Sequence, residues 1–319
     1  KNQTQVAQNH RVGVEWHHMS YWKPNRGASA TREPEATWIE DDTFDIIQAE
    51  WTATLSENAL LDTRFSHLKV WFPTFHQPDA RPQATLDTGT GIYSNARDLD
   101  VERDRRRYTF KSDLSYYLSE WGGAGHDWKF GFEWNHSPIE NVSKAIDDVE
   151  LRKVNGVADQ VRLRNTTTIT KQAVNQLGFY VDDIITVGTR ATIKVGLRLD
   201  KYEGYLPEQA SPGGLWVGEA AYPERRNIVN FTSLAPRIAL VLGLEEGRGS
   251  ALKASWGRYY HQFTTGWPDF ANQNGNLFDT YSWTDLNGNG IFDDGEQGTL
   301  LSRGIAADNL VDPDMKHPY

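Results

Sequence analysis

Cysteine is absent from the 319 residues. That excludes a disulfide framework, a thiolate metal site and a cysteine nucleophile, and leaves the compartment open. An excess of positive charge is missing too. Lys and Arg number 33 against 43 Asp and Glu, a net charge of −10, which argues against a nucleic-acid binder with a basic face. No run of 18 apolar residues occurs, so no helix is long and apolar enough to cross a bilayer. A mean hydropathy of −0.63 still permits a membrane barrel, because only alternate residues of each strand face lipid. Gly-x-Ser-x-Gly, phosphate-loop and zinc-protease patterns are also lacking, and no enzymatic activity is predicted. Aromatic residues are plentiful: 12 Trp, 13 Tyr and 13 Phe. They suit interfacial girdles, or a surface that contacts glycan or peptide.

The remaining signal is alternation. From Leu234, the residues Leu234, Pro236, Ile238, Leu240, Leu242 and Leu244 share one face. Ala235, Arg237, Ala239, Val241 and Gly243 share the other. A turn at Glu245 to Gly249 leads into a second strand with Leu252, Ala254 and Trp256 on one side. The same pattern recurs at Val12, Val14 and Trp16, at Ala49 to Leu55, at Tyr108 to Leu118, at Leu177 to Val181 and at Ile193 to Leu199. Its clearest form sets Trp128, Phe130, Phe132 and Trp134 against Lys129, Gly131, Glu133 and Asn135. One apolar face and one small-or-charged face are what a strand between hydrocarbon and a wet lumen requires. Two sheets stacked over a dry core would give a similar pattern.

Connections decide between these readings. Short turns at Asn9-His10, Ser56 to Asn58, Gly122 to His126 and Gly188-Thr189 alternate with polar segments of about 20 to 55 residues, well past the length usual inside compact domains. Short turns on one rim and long loops on the other are the habit of outer-membrane barrels. The prediction is an all-β fold: an antiparallel transmembrane β-barrel segment of about ten strands, part of a larger barrel with long extracellular loops. Residues 1–263 form the strands, and residues 264–319 a long extracellular loop. The chain reads as a segment of something longer.

Gly178 to Asp183 (GFYVDD), Ile193 to Asp200 (IKVGLRLD), Ala235-Pro236-Arg237 and Ala254 to Tyr260 (ASWGRYY) occur in that order. Gln48 to Thr52, Leu60-Leu61 and Arg64 precede them. The succession resembles the barrel of TonB-dependent outer-membrane receptors, especially the Oar-like group. The resemblance implies a bacterial outer-membrane location and a 22-stranded barrel. It also implies a plug domain and remaining strands outside this chain, and energy from a TonB-type complex through that plug. The implied function is active transport of a bulky nutrient, such as an oligopeptide, glycan or metal chelate. Outer-membrane lipid is the implied surrounding, and a surface lipoprotein over the loops is a further partner to consider. Two other readings stay open: a surface barrel for adhesion, assembly or export, and a soluble secreted calcium-stabilised β-protein.

One local motif points to a ligand of its own. Residues 285–296, DLNGNGIFDDGE, match a 12-residue calcium loop. Oxygen ligands fall at its positions 1, 3, 5, 7, 9 and 12, with glycine at 6. Here these are Asp285, Asn287, Asn289, the Ile291 carbonyl, Asp293 and Glu296, with Gly290 at the turn. Hard cations take oxygen ligands, and no amphipathic helices flank the loop, so a structural Ca2+ of the external millimolar class is expected rather than a sensor. Around it, Trp267, Phe270, Tyr281 and Trp283 are candidate substrate-stacking residues. His17-His18 and Asp182-Asp183 are neighbours on strands, so each pair is expected to split across the two faces.

Overall fold

The structure is a computed structural model that describes residues 2–244, 249–305, 309, 311–312 and 314–319. In chain order its strands begin with β1 (Asn2–Ala7), β2 (His10–Arg26), β3 (Trp38–Ser56), β4 (Ala59–His76), β5 (Ala84–Asp87) and β6 (Ile92–Ser94). Next come β7 (Asp100–Trp121), β8 (Ala124–Lys144), β9 (Val149–Val154), β10 (Val157–Arg164), β11 (Thr168–Val187) and β12 (Ala191–Leu206). The rest are β13 (Gln209–Ser211), β14 (Ala220–Tyr222), β15 (Arg225–Gly243), β16 (Ala251–Gly257), β17 (Phe278–Trp283) and β18 (Gln297–Ser302).

Ten strands make one wall in the order β1-β2-β3-β4-β7-β8-β11-β12-β15-β16, each pair antiparallel. Hairpin register fixes which side chains share a face. Trp128 opposes Tyr116 and Asp183, Phe130 opposes Leu114 and Val181, and Phe132 opposes Ser112 and Phe179. The outer face thereby collects the predicted apolar residues of every strand. Phe179 is 50% exposed, Ile238 48% and Trp256 60%. Neither buried apolar cluster of the structure draws on this face. A contiguous apolar surface of that breadth does not persist in water. It is a lipid boundary, and the chain is an antiparallel membrane-barrel segment, with β1 and β16 as the edges of its sheet.

Short hairpins join the strands on one rim. Gly122 and Gly123 sit at φ +64° and +82°, the two left-handed residues that a two-residue hairpin needs. The predicted turn residues Glu245 to Arg248 lie outside the described residues. On the opposite rim the strands run much further than the alternation suggests. β7 has 22 residues and β8 has 21, whereas about 10 suffice to cross a bilayer. The surplus projects roughly 35 to 40 Å along each strand at 3.3 Å per residue, where water on both sides removes the apolar period.

Above that rim the connecting segments are ordered. β18-β17-β10-β9-β5-β6 form a six-stranded sheet, in which β5 runs parallel to β9. Val149, Leu151, Val161, Leu163, Trp283 and Phe292 pack into its own core. This cap is assembled from three connections distant in sequence, each adding a piece that could not bury an apolar face alone.

Candidate functional site

Two surfaces carry chemistry: the inner side of the wall and the cap above it. On the inner side glycines alternate with long polar side chains. A Cβ on Gly131 would stand 2.0 Å from the Tyr180 ring, so the glycine makes the room in which Tyr180 lies across the strand. Its hydroxyl donates to Asp113. Asp113 Oδ2 also faces Lys111 Nζ at 3.5 Å and Lys129 Nζ at 3.7 Å. Next along the wall, Arg198 makes a two-pronged contact with Asp200, both bonds 2.7 Å, and reaches Glu133 at 3.2 Å. Gln176 continues the chain of contacts by donating to Asp200 at 3.1 Å and to the Tyr202 hydroxyl at 3.2 Å. Arg237 meets Asp182 at 3.2 Å over Gly196. Charges of both signs are paired along this face, which makes it a hydrated, internally braced surface.

Near the outer rim the inner wall is covered by the chain's own later segment. Phe263, Trp267 and His317 pack on Phe231 and Tyr202 of β15 and β12. Ser233 Oγ lies 2.6 Å from His317 Nδ1. Gly204 leaves the space that Phe263 and Pro268 fill.

The four aromatics proposed from sequence therefore do not form one platform. Trp267 belongs to this inner-wall cluster, and Phe270 is 65% exposed beside it. Trp283 is in the cap core. Tyr281 packs against that core and lines a cavity of about 380 Å3 between the cap sheet and the β13–β14 hairpin. Phe278, another aromatic of the same tail, shares that cavity, as do Trp216, Tyr222, Asn165 and Arg303, which were not singled out from sequence as contact residues. Leu215-Trp216-Val217 in a Gly- and Pro-rich loop was the available signal.

The 285–296 loop closes on its own side chains. Asp285 accepts from the backbone N–H of Gly288 at 2.7 Å and of Gly290 at 2.8 Å. Asn287 and Asn289 both donate to Asp293 Oδ2, at 2.8 and 2.7 Å, so positions 3, 5 and 9 face one another. Gly290 has φ +77°. Glu296 is 5% exposed. It accepts from Trp283 Nε1 at 3.0 Å and from the N–H groups of Leu286 and Asp293. The indole hydrogen bond, followed by the backbone ones, holds its carboxyl below the usual range. Among the described residues no three His, Asp or Glu side chains gather as a metal site by themselves.

The sequence model described as "TonB dependent receptor-like, beta-barrel" matches residues 3–297. The chain belongs to that family. It lies in the bacterial outer membrane as part of a TonB-dependent receptor barrel. Solved structures share the architecture at low identity. The unliganded ferric citrate transporter FecA is 11% identical with a TM-score of 0.54, over 89% of this chain and 40% of its own. The open form of the ferric-catecholate import receptor Fiu from E. coli K12 is 14% identical with a TM-score of 0.52, over 88% and 45%. BauA, the ferric preacinetobactin receptor from Acinetobacter baumannii, is 11% identical with a TM-score of 0.50, over 89% and 43%. The chain thus spans less than half the length of the receptors it matches. No curated protein matches it significantly.

Proposed function

We propose that this receptor barrel imports a bulky nutrient, an oligopeptide, glycan or metal chelate, with energy from a TonB-type complex acting through a plug domain. The single observation that carries the reading is the two-faced wall, apolar outside and lined inside by the Asp113–Lys129–Glu133–Arg198–Asp200 network. Such a lining suits a plug that must slide or unfold against it, because its charges are already paired and offer few sticky contacts. The ordered cap supports a role in first contact with cargo. The cavity of Tyr281, Trp216 and Tyr222 combines flat apolar rings with Asn165 and Arg303, which suits peptide or sugar better than a small ion. Placement in the Oar-like group rests on the ordered motifs Gly178 to Asp183 and Ala254 to Tyr260. In the same account Asp285, Asn287, Asn289, Ile291, Asp293 and Glu296 hold a structural calcium ion that fixes the loop to the cap core through Trp283.

The test is uptake by cells carrying the intact receptor. Accumulation of a labelled oligopeptide, glycan or chelate should require the receptor and stop when the proton gradient is dissipated. Receptor-dependent accumulation that ignores the gradient would contradict the proposal.

A further inference from the structure

The cap sheet has two unlike faces. Val149, Leu151, Val161 and Leu163 point into its core, so the alternate residues Glu150, Arg152, Arg162 and Arg164 point the other way. That second face meets the loops bearing Arg32 and Arg97 around a cavity of about 180 Å3. Arg32, Arg97, Arg152 and Arg162 line it, together with only two carboxylates, Asp98 and Glu150.

Those carboxylates are already divided among several cations. Glu150 accepts from Arg162 at 3.1 Å, faces Arg152 at 3.5 Å and also bonds Arg164 from behind the cavity. Asp98 lies 3.2 Å from Arg97 and 3.5 Å from Arg164. Arg32 rests 4.0 Å over the Tyr93 ring instead. Four guanidinium groups against two carboxylates leave the lining with two uncompensated positive charges. Arg97 and Arg152 reach those carboxylates through Nε, at contacts too poorly aligned to be hydrogen bonds, and the Nε–H of Arg162 is buried without an acceptor, which is costly for a charged donor. Burial also pulls the Arg162 guanidinium below its ordinary value, and burial with the nearby Arg97 does the same to Arg32.

We propose that this cavity binds a dianionic oxyanion: phosphate, sulfate or a phosphomonoester group carried on a larger molecule. Phosphate carries about −1.5 to −2 at pH 7, which matches the surplus, whereas a lone carboxylate or a phosphodiester leaves half of it unmet. Guanidinium forks pair with two oxygens of such a group at once, and the unpartnered Nε–H of Arg162 is one donor available to it. The site sits at the seam between cap and barrel rim, and the inference holds whatever the cargo is.

Calorimetry on the intact receptor in detergent tests it, with sulfate, inorganic phosphate, glycerol 3-phosphate and the diester dihexanoyl phosphatidylglycerol as probes. Sulfate and phosphate are expected to bind one-to-one with a submillimolar Kd and the diester at least tenfold more weakly. Arg152→Gln with Arg162→Gln should weaken both dianions at least tenfold. Arg32→Gln, which leaves the Glu150 ion pairs intact, should weaken them severalfold and guards against a folding defect in the double variant. Glycerol 3-phosphate binding as well as phosphate does would identify a monoester group as the ligand, and its exclusion the free ion. Absence of saturable binding by the wild-type receptor, a diester that binds as tightly as the dianions, or unchanged affinity in all variants would overturn the proposal.

Discussion

His126 Nδ1 lies 2.7 Å from Asp183 Oδ2 on the lipid-facing side of the wall. Both are buried, Asp183 at 2% exposure, with the rings of Trp121 and Trp128 packed on His126. A carboxylate on that face needs a partner, and the indoles keep the pair from hydrocarbon. The site is close to the short Gly122-Gly123 turn, at the interface where a polar pair is least costly. His126→Ala should leave the carboxylate unpaired and cost about 3 kcal/mol of barrel stability. Asp183→Asn should cost less. Denaturant unfolding in detergent micelles measures both, and equal, negligible effects would remove the pair from the account.

On the inner side the decisive feature is space. Gly131→Val puts a branched side chain where Tyr180 lies. Displacing that ring and its bond to Asp113 should cost about 2 kcal/mol through overpacking and reduce the yield of assembled barrel. Gly131→Val with Tyr180→Ala should recover the loss, which heat-modifiable migration on gels can follow.

The 285–296 loop makes a cation-dependent prediction. Calcium should slow backbone hydrogen exchange across 283–297, and chelation should reverse it. Because the Trp283 indole holds the Glu296 carboxyl below its usual range, the associated stabilisation is present above the unfolded value. It fades as pH falls through the lower folded one. Glu296→Gln should remove both the calcium response and this acid sensitivity. Unchanged exchange in calcium would contradict the site.

His76 gives a pH effect of opposite sign. Burial, the largest single influence, disfavours its charged form, but the bond from Nδ1 to Asp100 Oδ2 at 2.6 Å, the Asp100 charge and the bond to the Arg97 carbonyl together outweigh it, so its pKa lies above the usual histidine value. The stabilisation of the rim by this pair is complete below the unfolded value and is lost as pH rises through the folded one. A thermal-unfolding series from pH 5 to 9 should show that decline, and His76→Gln should flatten it.

The wall was legible in the sequence because lipid on one side and water on the other impose a period of two. Trp128 to Trp134 announce both the strand and its orientation, and Asp182 and Asp183 split as strand geometry demands, toward Arg237 and His126. Pro236 fits for a related reason. Its missing N–H falls where the ladder to β16 ends, beyond the Arg237–Gly257 pair. The cap was not legible, because its strands come from three connections and its core forms only when these meet. Asn155-Gly156, at φ +50° and +83°, was the one local mark of its β9–β10 hairpin. The aromatics around residues 267–283 could not be sorted into inner-wall and cap groups without the pairings of β17 with β10 and β18.

The most direct test of the two-faced wall is spin-label accessibility along β8 in a cysteine-free background, with single cysteines placed in turn at Lys129, Phe130, Gly131, Phe132 and Glu133. Labels replacing Phe130 and Phe132 should collide with oxygen dissolved in the bilayer and be shielded from a water-soluble nickel complex, and labels at Lys129 and Glu133 should show the reverse. An accessibility profile without that alternation, or with its phase inverted, would contradict the account.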